Sequence, residues 1–163
     1  MQILVISDSH GDAAPVKNLL DQYAGKVKTV VHLGDNVKDI LKFEHLYPQL
    51  NIVAVAGNCD YSTTTPRERT LTLAGKRILL MHGHSHNVKM SYDRLIYYSL
   101  EKDVDACLFG HTHMPVIFTM DNYYQGEVFF MNPGSLCEPR GQSRASYGIL
   151  TITDHITGAL IEL

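Results

Sequence analysis

The first third of the chain alternates between continuous apolar runs and a segment with helical periodicity. Gln2–Ile6 is an apolar run rich in β-branched residues, as expected of a strand buried on both faces. From Val16 to Tyr23, apolar residues recur at i, i+3, i+4 and i+7, which predicts a helix with Asp12 as its N-cap. A strand, a short helix and a strand follow at Thr29–Leu33, Val37–Leu41 and Asn51–Ala56. This order is typical of a parallel sheet with right-handed crossovers.

The rest of the chain reads mainly as strands. Arg69–Leu73 and Arg77–Met81 flank Ala-Gly-Lys, which predicts a hairpin with a tight turn, and Tyr92–Leu100 has the spacing of a third helix. Five further strand-like runs are Ala106–Phe109, Val116–Met120, Val128–Met131, Tyr147–Thr153 and Ala159–Leu163. We therefore expect an α/β half followed by an antiparallel half, forming two packed sheets flanked by helices in a single domain over residues 1–163.

Polar side chains cluster where the predicted strands end. Five strands run into segments rich in carboxylates, imidazoles or amides, each with an adjacent glycine: Ser7–Gly11, His32–Asn36, Ala56–Asp60, Met81–His86 and Phe109–His113. The carboxyl ends of strands in open α/β sheets are where ligands bind. Any one of these segments would more often be a turn or a cap, but five in order at strand ends indicate a shared site.

The donors at these strand ends are the oxygen and nitrogen ligands of a metal site. They are Asp8, His10, Asp35, Asn58, His82, His111 and His113. Seven donors are too many for one tetrahedral ion, but they suit two ions that share a bridging carboxylate. Mixed imidazole and carboxylate ligands favour Mn, Fe, Zn, Ni or Co over Ca or Mg, and the scarcity of cysteine argues against a structural zinc site. The residues alone therefore predict a dinuclear metallohydrolase.

Composition and charge exclude several other classes of protein. The 163 residues are 45% hydrophobic and 19% charged with a net charge of -3, so we expect an ordinary folded protein with no basic face for duplex nucleic acid or a membrane. No apolar run approaches the roughly 18 residues of a transmembrane helix, and no signal peptide is visible. Three well-separated cysteines predict a reduced compartment, the cytoplasm, rather than a disulfide framework.

The motifs resemble those of the calcineurin-like metallophosphoesterase superfamily, specifically its small single-domain members of the YfcE type. The resemblance covers nearly the whole chain. Its motifs here are Asp8-Ser9-His10, Gly34-Asp35, Gly57-Asn58-Cys59-Asp60, His82-Gly83, Gly110-His111-Thr112-His113 and Asn132-Pro133-Gly134-Ser135. The resemblance implies a four-layer α/β/β/α sandwich, in which two mixed β-sheets are flanked by helices.

The resemblance also implies how the ligands divide between two ions and what they do. Asp8, His10 and His113 would hold the first metal, and Asn58, His82 and His111 the second, with Asp35 bridging both. Two divalent transition-metal ions are expected, manganese first, with zinc, iron, nickel or cobalt as alternatives. The implied reaction is hydrolysis of small phosphate esters, most of all diesters, by a metal-bridged hydroxide that attacks phosphorus in line. Asn58 and His82 are expected to face the phosphate.

One residue departs from the pattern of many superfamily members. They carry a histidine that is thought to protonate the leaving group, where this chain has Cys59, although YfcE-type members share the cysteine. A neutral thiol is a poor acid, so His84 and His86 become candidates for that role, although either could instead support a ligand from behind or face solvent. Asp60 could orient a ligand by a hydrogen bond, or form a loop salt bridge.

Two alternatives belong to other functional classes. A scaffold like the retromer subunit of the same fold would bind partner proteins, with metal binding but little catalysis. Such a descendant is expected to have lost ligands, whereas this chain has all seven. A nuclease like the larger DNA-repair members would be expected to have a histidine at position 59 and a basic face. The oligomeric state stays open, and the tyrosine-rich third helix could form the interface of a homo-oligomer.

Overall fold

The computed structural model describes residues 1–61, 63–122 and 126–163, which form ten strands and three α-helices. The strands are β1 (Gln2–Ile6), β2 (Thr29–His32), β3 (Asn51–Ala54), β4 (Glu68–Leu73), β5 (Lys76–Met81), β6 (Ala106–Leu108), β7 (Val116–Asn122), β8 (Gly126–Asn132), β9 (Ser146–Ile152) and β10 (Ile156–Glu162). The helices are α1 (Ala13–Tyr23), α2 (Lys38–Leu41) and α3 (Asp93–Glu101), with 3-10 turns at Glu44–Leu46 and His84–His86.

Two five-stranded sheets form the centre of the molecule. The first has the order β10-β9-β1-β2-β3 and the second the order β4-β5-β6-β8-β7. Strands β1, β2 and β3 are parallel, as the alternation of strands and helices predicts, and β5, β6 and β8 are parallel in the second sheet. Both sheets are therefore mixed, because antiparallel strands complete each of them.

Three buried clusters hold four layers together. Successive side chains of a strand point to opposite faces, so β1 sends Ile3 and Val5 into a cluster between the two sheets. Leu4 and Ile6 point the other way and pack with residues of α1 and α2. A third cluster joins the second sheet to Leu95 of α3. The expected α/β/β/α sandwich, with two mixed sheets flanked by helices, is confirmed.

The prediction that the second half of the chain is antiparallel is wrong. Helix α3 carries the chain from β5 to β6 as a crossover, so these strands pair in parallel, with Ile78 opposite Ala106. Strands β9 and β10 leave the second sheet and complete the first, where Leu150 pairs with Ile3. Strand-like runs look the same in either arrangement, because pairing partners are chosen by contacts that are distant in sequence.

The local signals of the sequence are largely confirmed. Asp12 caps α1, since its side chain accepts a hydrogen bond from the Ala14 N–H. The hairpin between β4 and β5 turns through Ala74 and Gly75, both in the left-handed region, whereas Lys76 already belongs to β5. The predicted second helix is one turn long. None of the helices in the described ranges is long and apolar enough to cross a bilayer.

Candidate metal centre

The parallel strands of both sheets end at one edge of the molecule, and the predicted ligands lie there. Asp8 and His10 follow β1, Asp35 follows β2, His82 follows β5, and His111 and His113 follow β6. Two groups of their ligand atoms are close enough to hold metal ions, with all atoms of a group within 4.8 Å of one another. This convergence agrees with the general position of ligand sites beyond the carboxyl ends of strands.

The first group contains Asp8, His10, Asp35 and His113. Nε2 of His113 lies 3.1 Å from Oδ1 of Asp8 and 3.1 Å from Nε2 of His10. Nε2 of His10 lies 3.8 Å from the nearer carboxylate oxygens of Asp8 and Asp35. Three of the four residues are buried and His10 is half-buried. The group combines two imidazoles with two carboxylates, a donor set that suits a divalent transition metal.

The second group contains Asp35, His82 and His111. Nε2 of His82 lies 3.3 Å from Oδ2 of Asp35 and 3.2 Å from Nδ1 of His111. Asp35 therefore belongs to both groups, and its Oδ2 faces the first and the second group at once. This is the position that a carboxylate shared by two ions would occupy.

The buried carboxylate of Asp8 shows that these residues fit a cation. Its Oδ1 is buried and, within the described ranges, accepts no hydrogen bond from a neutral donor, although Nε2 of His113 lies 3.1 Å away. Burial opposes ionisation, but the interaction with a protonated His113 and the charge of His82 outweigh it and hold the pKa of Asp8 below its usual value. A buried, ionised oxygen without a donor is costly unless a cation binds it. The donor set therefore accepts a metal ion.

Hydrogen bonds behind two imidazoles fix which nitrogen faces the centre. Nδ1 of His82 donates to the carbonyl oxygen of Leu33 (2.7 Å), and Nδ1 of His113 donates to that of Glu138 (2.6 Å). Because a carbonyl oxygen can only accept, each Nδ1 carries a proton, so in the neutral ring the lone pair is on the Nε2 that faces the centre. When the ring is protonated, Nε2 instead donates to the neighbouring carboxylate. The sequence pattern does not identify Glu138 as a partner of His113, since the atom that accepts this hydrogen bond is a backbone carbonyl oxygen.

Charge and burial set the protonation of the second group. Burial disfavours ionisation of Asp35, but the hydrogen bond and charge of His82 reverse this and hold the pKa of Asp35 far below its usual value. Burial also acts against protonation of His82, and the carboxylate of Asp35 overcomes it and raises the pKa of His82. For His111, burial and the charge of His82 lower the pKa to about 4. His111 is therefore neutral near pH 7, and its unprotonated ring nitrogen can bind a metal.

Several predicted ligands have an unfavourable backbone conformation. Five of the predicted ligands have positive φ angles, namely Asp8 (55°), His10 (48°), Asp35 (60°), His111 (69°) and His113 (61°). Non-glycine residues adopt this region at a cost, and such residues concentrate at functional sites. The surrounding hydrogen bonds and packing must hold these turns in place.

Glycines beside the ligands allow the strand ends to approach one another. A Cβ atom on Gly57 would collide with Oδ1 of Asp35 and would lie 2.6 Å from its backbone nitrogen. A Cβ on Gly110 would collide with the Ser7 hydroxyl and lie 2.8 Å from Oδ2 of Asp8. The glycines in these motifs therefore serve packing against the carboxylates, as well as turning the chain.

Asp60 holds the turn that carries Asp35. Its Oδ2 accepts hydrogen bonds from the backbone N–H groups of Asp35 (2.9 Å) and Gly57 (2.8 Å), and its Oδ1 accepts from that of Val37 (2.8 Å). The sequence left open whether Asp60 orients a ligand or forms a salt bridge. These three bonds tie the loop after β2 to the loop after β3, so Asp60 supports the position of Asp35.

Asn58 follows β3, in the same loop as Cys59. Its side chain is exposed, and its amide donates to Sγ of Cys59 at 3.3 Å. The backbone N–H of Cys59 donates to Oδ1 of Asp35 (2.8 Å). Burial and the charge of Asp35 raise the pKa of the Cys59 thiol to about 11, so this thiol is neutral near pH 7. Asn58 as a ligand therefore stays a prediction.

The two candidate acids, His84 and His86, occupy different surroundings. The ring of His84 lies 5.5 Å from that of His82 and 6.0 Å from that of His111, and its Nδ1 is buried without a hydrogen-bond partner. Burial and the charge of His82 lower the pKa of His84. His86 packs against Tyr98 instead, with 4.7 Å between ring centroids. His84 is thus the candidate that borders the centre.

A buried polar network supports the centre, and sequence reasoning missed it. The Gly34 N–H donates to Nδ1 of His32 (3.2 Å), so Nε2 of His32 carries the proton and donates to the Ser9 hydroxyl (3.2 Å). Ser9 in turn donates to Oδ2 of Asp39 (2.8 Å), which also accepts from the Gly11 N–H (2.8 Å). The network joins the loop after β1 to the loop after β2. A histidine at the end of an apolar strand was the signal that could have revealed it.

Two polar residues of the Asn-Pro-Gly-Ser segment support the loops from the other side. The amide of Asn132 donates to the carbonyl oxygen of Gly110 (2.9 Å) and to the Thr112 hydroxyl (3.0 Å), and Ser135 donates to the carbonyl oxygen of Asp8 (2.8 Å). Both residues are fully buried. The segment therefore braces the backbone of the ligand loops.

We predict that His32 makes the metal-free protein less stable as the pH falls. Burial lowers the pKa of His32 from 6.5 to about 4, so the unfolded state binds the proton at a higher pH than the folded state. The stabilisation is complete above pH 6.5 and is lost as the pH falls to about 4, which amounts to about 3 kcal/mol at about 1.4 kcal/mol per pKa unit. Urea unfolding of the wild type and His32→Gln across this range, with chelator present, measures the difference between them.

The difference in unfolding free energy between these two proteins should shrink toward acid pH, because only the wild type loses this contribution. His45→Gln changes an exposed histidine and serves as the control, for which the difference from the wild type should stay constant. A constant difference for His32→Gln as well would show that burial does not perturb this imidazole.

Comparison with known proteins gives the same family for the whole chain. Residues 1–155 match the model of the calcineurin-like phosphoesterase superfamily domain. The probable metallophosphoesterase YsnB of Bacillus subtilis is 33% identical over 153 residues, covering 93% of this chain and 85% of YsnB. The phosphodiesterase YfcE of Escherichia coli K12 is 30% identical over 173 residues, covering 92% of this chain and 87% of YfcE.

Solved structures share the fold. A predicted phosphoesterase from Streptococcus pneumoniae superposes with a TM-score of 0.81 at 29% identity, covering 99% of this chain and 88% of that one. Vps29 from Entamoeba histolytica in complex with Zn²⁺ superposes with a TM-score of 0.69 at 24% identity, covering 99% and 98% of the two chains. The second likeness concerns the fold alone. Given the match over residues 1–155, the chain belongs to the calcineurin-like phosphoesterase superfamily.

Proposed function

We propose that this chain is a metal-dependent phosphodiesterase with a centre for two divalent cations. The observation that carries the proposal is that Asp35 belongs to both groups of ligand atoms, each of which also contains imidazoles. A carboxylate between two clusters of neutral and anionic donors is the arrangement that a dinuclear hydrolase needs. The phosphodiesterase YfcE, similar along most of its length, supports a diester as the substrate class.

The proposed ligand assignment follows the two groups. Asp8, His10 and His113 hold the first cation, and His82 and His111 hold the second, with Asp35 between them. Asn58 is the seventh ligand and would bind through its amide oxygen, since its amide nitrogen donates to Cys59. The orphaned Oδ1 of Asp8 supports the first site, and the neutral state of His111 supports the second. Manganese is the proposed metal, with zinc, iron, nickel and cobalt as alternatives.

The residues of the chain provide orientation and charge for the reaction. When bound, two divalent cations activate a water for in-line attack on phosphorus and offset charge on the phosphoryl oxygens. His82 and His113 keep fixed Nε2 lone pairs because their Nδ1 protons are engaged. Asn58 and His82 are the groups that we place nearest the phosphate. With its thiol neutral, Cys59 gives little acid assistance, so substrates with good leaving groups suit this site.

The remaining proposals concern the substrate, the location and the assembly of the protein. The substrate is a small phosphate ester, since nothing in the charge of the chain favours duplex nucleic acid. The cytoplasm is the proposed location, in keeping with three free cysteines in the described chain. Tyr97 on α3 is 69% exposed and would lie in the interface if the protein forms a homo-oligomer.

Metal removal and restoration test the proposed function. Protein stripped of metal by chelation should hydrolyse neither bis-p-nitrophenyl phosphate nor p-nitrophenyl phosphate, because its donors then lack the cations. Addition of Mn²⁺ should restore hydrolysis of the diester, with about two ions bound per chain. Release of p-nitrophenol and elemental analysis of the dialysed protein measure the two quantities. Addition of Ca²⁺ is the control, since the imidazole-rich donor set disfavours it.

Each other outcome has a definite meaning. If only the monoester is hydrolysed, the proposed metal centre stands, but the substrate class is monoesters and not diesters. Two bound metal ions without hydrolysis of either ester would favour a scaffold that binds partner proteins, the alternative with the same fold. Full diesterase activity in the stripped protein would contradict a metal-dependent mechanism.

A further inference from the structure

A cavity lies beside the metal centre and is separate from both groups of ligand atoms. Its volume is about 560 Å³. Its lining includes the polar residues Asn36, Cys59 and Asp60, the lysines Lys38 and Lys42, and the apolar Leu41. The cavity is large enough for the organic part of a small ester.

Three residues of the cavity wall adjoin Asp35 in the chain or are hydrogen-bonded to it. Asn36 directly follows Asp35 in the chain, and the backbone N–H of Cys59 donates to Oδ1 of Asp35 at 2.8 Å. Asp60 accepts from the Asp35 N–H at 2.9 Å. Three lining residues are thus one bond or one hydrogen bond from the proposed bridging ligand. The cavity therefore borders the loops that position the proposed bridging ligand.

The charged residues of the cavity wall favour an anion. Lys38 and Lys42 are four residues apart on α2 and its C-cap, so their like charges face the same side of this short helix. Neither forms an ion pair with the acidic residues of the described chain; Nζ of Lys42 lies 5.1 Å from the ring centroid of Phe43. The two lysine charges repel each other in the free protein. A negative group bound between them would offset this repulsion and be attracted by both.

The acidic residue of the wall, Asp60, offsets one of the two lysine charges and is itself held by backbone donors. Both carboxylate oxygens of Asp60 are engaged by backbone N–H donors, from Asp35 and Gly57 on one oxygen and from Val37 on the other. These bonds stabilise the carboxylate and direct it toward the loop backbone. With two lysines and one carboxylate, the charged side chains of the wall sum to +1 in a chain whose net charge is -3.

We infer that this cavity binds a substituent of the phosphodiester that carries a second negative charge, recognised by Lys38 and Lys42. The inference rests on the proposed function and names its substrate class: small diesters in which one ester group is itself anionic. Val37, Leu41 and the ring of Tyr61 contact the carbon skeleton of that group, and the two ammonium groups contact its anion. Charge complementarity then selects these diesters over neutral ones.

Binding of two non-hydrolysable probes tests the inference directly. Benzylphosphonate and 4-carboxybenzylphosphonate both place a phosphonate on the Mn²⁺-loaded protein, and only the second adds a carboxylate at the far end of its ring. Calorimetric titration should show about five-fold tighter binding of the carboxylated probe, as expected for exposed lysines. The double variant Lys38→Gln/Lys42→Gln should bind the two probes with about equal Kd. In the wild type, about 0.5 M salt should reduce the preference for the carboxylated probe.

A matched control separates local recognition from overall charge. Lys26→Gln/Lys28→Gln removes the same two charges beside the amino end of β2, at the opposite edge of the sheet, and should keep the preference. Equal binding of the two probes by the wild type would overturn the inference. A preference that survives in Lys38→Gln/Lys42→Gln would overturn it as well.

Hydrolysis of a matched pair of diesters distinguishes this inference from the proposed function. The pair is phenyl p-nitrophenyl phosphate and 4-carboxyphenyl p-nitrophenyl phosphate, and kcat/KM should be higher for the carboxylated diester. Chromatography of the products counts p-nitrophenol and 4-hydroxybenzoate, so it also shows whether the anionic group is retained or leaves. If the carboxylated phosphonate binds more tightly but neither diester is hydrolysed, the cavity inference stands and the proposed function fails. Equal kcat/KM values for the two diesters would contradict the cavity inference while the proposed function stands.

Discussion

Asp35→Asn should lose diesterase activity by at least about a hundred-fold, and up to about a thousand-fold, as when a preorganised electrostatic group is removed. The asparagine carbonyl can still accept from the Cys59 N–H, as Oδ1 of Asp35 does. Its NH₂ group then takes the place of Oδ2, which faces Nε2 of both His82 and His10. A group that only donates hydrogen bonds cannot ligate a cation, so both proposed sites lose a donor at once.

Three measurements check the Asp35→Asn variant. Steady-state hydrolysis of bis-p-nitrophenyl phosphate, metal content per chain and the rise in Tm on addition of Mn²⁺ should all decrease together, because bound metal stabilises the folded state by mass action. Asp103→Asn is the control: Asp103 is exposed, pairs with Arg77 and has a positive φ that asparagine tolerates. An Asp35→Asn protein with wild-type metal content and activity would exclude Asp35 as the bridging ligand.

Gly57→Ala should damage the centre without changing any ligand. The added Cβ would collide with Oδ1 of Asp35 and lie 2.6 Å from the backbone nitrogen of Asp35. Gly57 is not in the left-handed region, so the conflict is steric and does not arise from backbone preference. Relief requires a shift of the Asp35 loop, which should cost about 1–3 kcal/mol of unfolding free energy. A ligand displaced by about 1 Å should lower kcat about a hundred-fold.

Gly25→Ala is the matched control for Gly57→Ala. A Cβ on Gly25 meets no atom within 4 Å, so the same chemical change should leave activity and stability close to those of the wild type. Urea unfolding of both variants gives the free energies, and hydrolysis with saturating Mn²⁺ gives kcat. Near-normal activity and stability in Gly57→Ala would mean that the loops after β2 and β3 adjust more freely than their hydrogen bonds to Asp60 indicate.

Much of the metal centre could be predicted from the sequence because its ligands follow apolar strands. Runs such as Gln2–Ile6 bury both faces, and the polar residues after them could not continue the buried strand. The spacing of apolar residues and the residue types of each run locate the ends of β1, β2 and β3 to within two residues. Six of the predicted ligands do lie in the two groups of the structure.

The supporting residues were harder to predict, since their roles depend on partners far away in the chain. His32 and Asp39 read as the end of a strand and a residue of a short helix, yet both are buried and hydrogen-bonded through Ser9. Ser135 reaches the backbone of Asp8, 127 positions earlier in the chain. The sequence pattern also did not reveal that the carbonyl oxygen of Glu138 accepts from His113 and that its carboxylate lies 3.8 Å from Nε2 of His10.

The sequence by itself determined most of the strands, the cap of α1 at Asp12, the tight turn at Ala74 and Gly75, and the candidate metal donors. These features follow from the spacing of apolar residues, backbone preferences and side-chain chemistry, all of which can be read from a short stretch of sequence. Only the tertiary structure decided that β9 and β10 join the first sheet, that Asp35 faces both groups of donors, and that a cavity with two unpaired lysines borders them. The physical reason is that strand order and the spacing of opposed loops depend on packing between segments distant in sequence, where no local preference acts.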